Sequence, residues 1–284
     1  MFKRYYELTK PGIVYGNIMT TVAAFLFASQ WHIDPLLQLS TVVGLALVIA
    51  SACVLNNVID RHIDAKMERT KHRALVVGTI DRHSAISFAI LLGIFGFFIL
   101  FMRTNVLTTI IAVIGCVFYL VFYSYAKRAG HWGTLVGSVS GAVPIVVGYT
   151  AVTNRFDLIS LLLFFILACW QMPHFYAIAI RRSSDYRTAH IPVLPLVKGN
   201  KTTNVHIVVY IMLFLIATAS FAVIAQAGYI FLIIMLAVGI RWLMIAIEGF
   251  SARDDQKWAR SLFLFSLVVL LVFSITLALS PLLP

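Results

Sequence analysis

Charge is what this sequence has least of. Only 12% of its 284 residues are charged, and acids are the scarcer sign, eleven Asp and Glu against twenty-two Lys and Arg. A soluble domain carries about 25% charged residues, so the shortage excludes one here. Cysteine is equally sparse: Cys53, Cys116 and Cys169 stand far apart, without the close pair spacing of a disulfide framework or a metal finger, and read as small packing residues. The chain also lacks a GxxxxGK[ST] loop, a GxGxxG after a strand and an HExxH pair. Nucleotide hydrolysis, dinucleotide binding and zinc proteolysis therefore have no support.

What is present is apolar length. Hydrophobic residues make up 61% of the chain, and stretches able to cross a hydrocarbon core of about 30 Å fall near 12–30, 38–58, 84–103, 106–126, 133–153, 157–180, 206–227, 229–248 and 260–282. The expected fold is all-α: a polytopic membrane protein with nine transmembrane helices, the third and fourth divided by a short polar break at Arg103–Asn105. No soluble domain fits in the remainder, so residues 1–284 read as one transmembrane domain. A net charge of +11 is of the size seen in nucleic-acid binders, but its distribution follows topology. Nineteen of the Lys and Arg fall on the side of the N-terminus, Arg103 and Arg155 fall opposite, and Arg241 lies inside the eighth span. By the positive-inside rule this predicts N-in, C-out. Met1–Lys10 has neither a signal-peptide pattern nor an Arg- and Ser-rich presequence, which points to a bacterial inner membrane rather than an organelle.

The most informative stretch is Asn56–Thr70, where an apolar run passes into acids and bases without a loop signal. Asn56, Asp60 and Asp64 recur at i, i+4 and i+8, which on a helix spans an arc of about 80°. Carboxylates set together near a membrane repel one another unless a cation compensates them. Magnesium takes oxygen ligands and is commonly held by one or two carboxylates plus a substrate's phosphates, so these three side chains are the candidate metal and catalytic set. Lys66, Arg69, Lys71 and Arg73 follow at once and suit a diphosphate, since Arg grips phosphate oxygens bidentately and Lys adds a point charge. The competing reading is a solvated helix end with a positive-inside loop, which explains the count of bases but not their closeness to the acids.

Elsewhere the chemistry is thinner. Asn17, two turns past Pro11, suits either an interhelical hydrogen bond or a headgroup-level site. Tyr123–Arg128 reads as interface anchors. The fifth span is rich in Gly and Ser with Pro144 inside, as expected of a kinked helix lining a cavity. The sixth carries Gln171, Pro173 and His174, and an ionisable residue within a membrane helix is a functional candidate; a kinked helix with a satisfied His is the alternative. Ala189–Gly199, with Pro192, Pro195 and Lys198, is expected to cap the mouth of the bundle. Arg241 and Glu248, seven apart, are expected to brace it.

Asn56–Asp64 resembles the NDxxDxxxD signature of the UbiA superfamily of intramembrane prenyltransferases, and Arg69-Thr70 with Arg73 resembles the RTxxRP that follows it. Trp170–Ile180, Asp185-Tyr186 and Ile191–Gly199 are similar to the haem-prenylating branch, and the likeness runs over nearly the whole chain. Asn57 stands where the superfamily often has Asp, and Ala74 replaces the usual Pro. The second Asp-rich motif of the aromatic-acceptor enzymes is missing: Arg181 and Arg182 occupy the end of the sixth span, with Asp185 the one acid nearby.

This resemblance implies a helical bundle around a central cavity that opens to the cytoplasm. It implies magnesium on Asn56, Asp60 and Asp64, and farnesyl diphosphate held by Lys66, Arg69, Lys71 and Arg73. The implied acceptor is protohaem IX, contacted by His174, Gln171, Tyr176, Arg181, Arg182 and Lys198, with Tyr123, Phe175 and Tyr176 facing an allylic cation. A haem-receiving oxidase or a haem A synthase would take the product. Two other classes stay open: a UbiA-type transferase with another lipid diphosphate or an aromatic or quinone-precursor acceptor, and a transporter, gated at Pro144 and Pro173, or purely structural membrane protein.

Overall fold

The computed structural model describes residues 1–284 and contains helices but no strands. In chain order these are α1 (Phe2–Leu8), α2 (Pro11–Ser29), α3 (Pro35–Asp64), α4 (Arg82–Arg103), α5 (Val106–Val117), a π-helical turn (Phe118–Tyr123), α6 (Ser124–Ala129), α7 (Gly133–Thr153), α8 (Leu158–Arg181), α9 (Ser183–Thr188), α10 (Leu194–Ile224), α11 (Tyr229–Glu248) and α12 (Asp255–Leu279). With α5, the π turn and α6 counted as one continuous rod, nine helices are long and apolar enough to cross a membrane. The protein is a multi-pass membrane protein.

Helix starts follow their caps. Asp34, Asp81, Asn105, Asp157 and Asp254 each accept a backbone N–H of the first turn that follows, and Pro11 and Pro35 sit at first-turn positions that need no donor. Two boundaries differ from the sequence expectation. The second span was expected to close near residue 58, yet α3 runs on to Asp64, because no proline or glycine interrupts residues 58–64. Hydropathy ends where the apolar medium ends; the helix does not. The seventh span was expected from about 206, whereas α10 begins at Leu194 and changes direction at Gly199, whose φ of 81° and ψ of 165° only glycine adopts without strain. The expected cap over residues 189–199 is thus partly helical.

The centre of the bundle is α7 and α8. From Ala142 to Ala151 every residue of α7 is buried, and the main core joins these to α2, α8, α10 and α12. Close approach there depends on glycine: a Cβ on Gly148 would stand 2.1 Å from the Thr21 carbonyl oxygen of α2. Helix α4 lies outside, with Ile94, Phe95, Phe98, Phe101 and Met102 exposed, as a lipid-facing helix should be. The expected Arg241–Glu248 brace is an exposed pair at 3.7 Å on α11. Such a pair contributes little.

Two ends of the bundle are distinct. One carries the α2–α3 turn, where the Trp31 indole donates to the Ala278 carbonyl at 2.7 Å, and the α10–α11 turn, where Gly228 meets Pro284. The other carries the segments 65–81, 130–132 and 182–193. The cavity opens among these.

Candidate functional site

A cavity of about 710 Å³ is lined by residues of α2, α3, α5, the π turn, α7, α8 and α12. That is within the range of small-molecule sites. Asn56, Asp60 and Asp64 all face it, and all three are at least nine-tenths buried. The helical register of α3 places them, and the turn after it holds them there. Thr70, itself buried, donates its hydroxyl to the Asp64 carbonyl at 2.9 Å, satisfying one of the oxygens a helix C-terminus leaves free. The buried Asp185 of α9 accepts the Glu68 N–H at 3.2 Å and ties the same turn to the far side of the mouth.

Buried carboxylates require compensation, and Asp60 and Asp64 both have it. Arg73 Nη1 donates to Asp64 Oδ2 at 2.5 Å and to Asn57 Oδ1 at 3.1 Å. Asp60 accepts from Lys127 through Oδ2 and from Arg128 Nη2 through Oδ1 at 3.1 Å. Asn56 donates to Asp60 Oδ2 at 3.0 Å, while its own Oδ1 accepts from Lys10 Nζ at 2.7 Å and from the Tyr119 hydroxyl at 3.2 Å. Burial, with the Arg73 cation nearby, pulls the Lys10 ammonium down to about 8 against a partial restoring pull from Asp64 and Asp60. Lys10 holds a left-handed conformation, φ 52°, as the residue before Pro11, which turns its side chain from α1 toward α3.

Lys10, Tyr119, Lys127 and Arg128 were missed by sequence reasoning as site residues. Tyr123–Arg128 reads as a string of interface anchors, and Tyr125, 70% exposed, is one. Tyr119, Tyr123 and Lys127 instead line the cavity, because the π turn at Phe118–Tyr123 resets the face of this span. Such turns are frequent at functional sites. The spacing of 119, 123 and 127 repeats the i, i+4, i+8 of 56, 60 and 64, but nothing local in the sequence shows that the two sets meet. The two ladders meet with Tyr119 on Asn56 and Lys127 on Asp60, while Tyr123 stacks on Tyr119 at 5.8 Å and stands 5.2 Å from the Lys127 ammonium.

Of the remaining sequence candidates, Arg69, Gln171, His174, Phe175, Arg181 and Arg182 line the cavity, as does Asn17. Gln171 Nε2 is engaged structurally, donating to the Ser138 and Leu167 carbonyls at 3.1 Å each, and its Oε1 lies where a Cβ on residue 141 would be, so Gly141 makes room for it. Four candidates do not line the cavity. Lys66 is exposed and Lys71 pairs with Glu68 at 2.7 Å, because the turn after α3 sends every other base outward. Tyr176 is buried on the opposite face of α8, against His206 and Tyr210. Lys198 is exposed beside the break at Gly199; Ile191, Pro192 and Val193, earlier in the same segment, are the cavity-lining residues.

The donor set fits a hard cation. Two carboxylates and one amide oxygen are too few to enclose an ion alone but suit magnesium, which keeps water and phosphate oxygens among its ligands. Around them Lys10, Arg69, Arg73 and Lys127 make a strongly cationic end, backed by Arg128 on Asp60, while Phe175, Trp170, Phe263, Leu267 and Leu270 make the α8–α12 side apolar and aromatic.

Comparison with known proteins agrees with the fold. The profile of the UbiA prenyltransferase family matches residues 17–268. Protoheme IX farnesyltransferases from Yersinia pseudotuberculosis and Pectobacterium atrosepticum are 48% and 49% identical to this chain, covering 98% and 100% of it and 95% and 97% of their own lengths. Among solved structures, a digeranylgeranylglyceryl phosphate synthase superposes with a TM-score of 0.81 at 18% identity, covering 99% of this chain and 98% of its own. A UbiA homologue from Archaeoglobus fulgidus bound to DMAPP and Mg2+ superposes with a TM-score of 0.74 at 14% identity, covering 96% and 99%. The nine-helix fold, the full-length likeness and the matching profile together make this chain a member of the UbiA prenyltransferase family.

Proposed function

We propose that the protein transfers the farnesyl group of farnesyl diphosphate to the 2-vinyl group of protohaem IX, with addition of water, to give haem O. The observation that carries the reading is that one cavity combines two sets of groups. Hard oxygen donors amid cations suit a metal-bound diphosphate, and an aromatic wall with an imidazole and two guanidiniums suits a porphyrin bearing carboxylates. Full-length identity near 48% to protoheme IX farnesyltransferases supports the choice of acceptor.

Asn56, Asp60 and Asp64 would hold magnesium, which when bound supplies Lewis-acid assistance to the departing diphosphate. Lys10, Arg69, Arg73, Lys127 and Arg128 bind and neutralise the diphosphate oxygens. The C1–O bond of the farnesyl chain breaks, with its electron pair leaving on the diphosphate. Tyr123 and Phe175 offer π faces to the allylic cation, and the apolar wall keeps water from quenching it. A carbon–carbon bond forms from farnesyl C1 to the terminal vinyl carbon; water captures the resulting cation beside the porphyrin ring and loses a proton. His174 contacts the porphyrin, and Arg181 and Arg182 pair with its propionates. The chain works as one domain in a bacterial inner membrane, N-in and C-out, with the cationic end toward the cytoplasm, which matches the positive-inside count. A haem-receiving oxidase or haem A synthase then takes the product.

The test is an acceptor panel. Membranes containing the protein are given deuterated farnesyl diphosphate with protohaem, 4-hydroxybenzoate or a naphthoate. Label entering haem alone is the expected result; label entering a benzoate or naphthoate, with haem untouched, would move the protein to an aromatic-acceptor branch.

A further inference from the structure

Two side chains on α8, one turn apart, are held by a single residue of α12. The Trp170 indole donates to the Ser266 carbonyl at 2.8 Å, and His174 Nδ1 lies 2.7 Å from Ser266 Oγ. Ser266 is fully buried, and its hydroxyl lies 2.6 Å from the Phe263 carbonyl, an oxygen that can only accept, so the proton between the two is the serine's. A hydroxyl has one proton to give and two lone pairs with which to accept. With that proton on Phe263, the serine oxygen meets His174 as an acceptor, so Nδ1 carries the imidazole proton. The other ring nitrogen of a neutral imidazole is then a bare lone pair.

Nε2 has no protein hydrogen-bond partner and is not sealed in the core, and His174 lines the cavity. The ring cannot readily turn away. It stacks on Trp170 at 4.9 Å and 25°, packs on Phe263 at 4.9 Å, and meets Phe175 edge-on at 5.4 Å. Two turns along α8, Arg181 lies over the other ring in this group, 5.2 Å from the Phe263 centroid, which places a guanidinium beside the same wall.

Resting on the haem-acceptor reading, we infer that Ser266 is a positioning residue that holds His174 as its Nδ1–H tautomer, so that Nε2 presents its lone pair to the cavity as an axial ligand for the iron of the acceptor porphyrin. The opposite tautomer would present an N–H and could not ligate. A metal-bound histidine generally donates its second N–H to an oxygen in this way, and loss of that partner typically weakens metal affinity by about 10–100-fold.

The test uses the full chain in detergent, with ferric protohaem and metal-free protoporphyrin IX as probes, read by absorption and electron paramagnetic resonance. Wild type is expected to give an imidazole-ligated iron signature that His174→Ala abolishes. Ser266→Ala should bind protohaem at least tenfold more weakly while its affinity for metal-free protoporphyrin is unchanged. Ser266→Thr, which keeps the hydroxyl, should restore protohaem binding. An unchanged protohaem affinity in Ser266→Ala, or an equal loss for both probes, would overturn the inference. Haem binding whose imidazole signature survives His174→Ala would overturn it while leaving the acceptor reading intact. If wild type takes up neither probe, the acceptor reading fails and the inference falls with it.

Discussion

Lys127 and Asp60, sixty-seven residues apart in sequence, form an ion pair at the mouth of the cavity in which both side chains are about nine-tenths buried. The pair joins the helix that bears the oxygen donors to the span that follows α4, and in the proposed reaction its ammonium would meet the incoming diphosphate. Lys127→Met removes that ammonium while Arg128 still compensates Asp60. A hydrogen bond to a charged group contributes about 1.5–3 kcal/mol, so the KM for farnesyl diphosphate should rise roughly 10–100-fold in steady-state assays. An unchanged KM would remove Lys127 from the diphosphate site.

Asn57 explains its own departure from the superfamily pattern. Its Nδ2 donates to the Leu8 carbonyl at 2.9 Å and its Oδ1 accepts from Arg73, so the amide fastens α1 to α3 and orients the guanidinium that holds Asp64. An aspartate could accept from Arg73 but would set an oxygen against the Leu8 carbonyl. Asn57→Asp should therefore lower stability by about 1–3 kcal/mol, measured by thermal unfolding in detergent. A stability equal to wild type would show that the Leu8 bond carries no weight.

The nine spans, the oxygen-donor ladder on α3 and the family likeness were legible because each is local: hydropathy, helical period and motif are written in consecutive residues. Lys10, Tyr119, Lys127 and Ser266 were not legible, since each acquires its place through a partner 46 to 92 residues away. Tyr119 and Lys127 also depend on a π turn that no propensity announces. The loop bases failed differently. Lys66, Arg69, Lys71 and Arg73 are equivalent by composition, and only the folding of the turn around Thr70 decides that Arg69 and Arg73 face inward.

Lys10 gives the site a pH dependence. In the unloaded protein its ammonium, held near 8 chiefly by burial, is charged below that pH and lost as pH rises through it. Affinity for the diphosphate should fall across that window in wild type. Lys10→Arg should flatten the fall, because a guanidinium stays charged throughout. A wild-type profile flat from pH 7 to 9 would exclude Lys10 from diphosphate binding.

Gly148 tests the packing that shapes the cavity. A methyl group there would meet the Thr21 carbonyl at 2.1 Å, backbone against backbone, with no flexible side chain to yield. Gly148→Ala should separate α2 from α7 and cost at least the ~1–3 kcal/mol of an overpacked core, seen as a lower unfolding temperature. No change in that temperature would contradict the close approach.

The central claim is that helix α3 supplies the oxygen donors for a magnesium-dependent prenyl transfer to haem. The most direct measurement is mass spectrometry of haem extracted from membranes given protohaem and farnesyl diphosphate, with and without magnesium, for wild type and Asp60→Ala. The account predicts that haem gains a farnesyl group and a hydroxyl only with magnesium, and that the gain disappears in Asp60→Ala. Haem farnesylated at the wild-type rate by Asp60→Ala would contradict it.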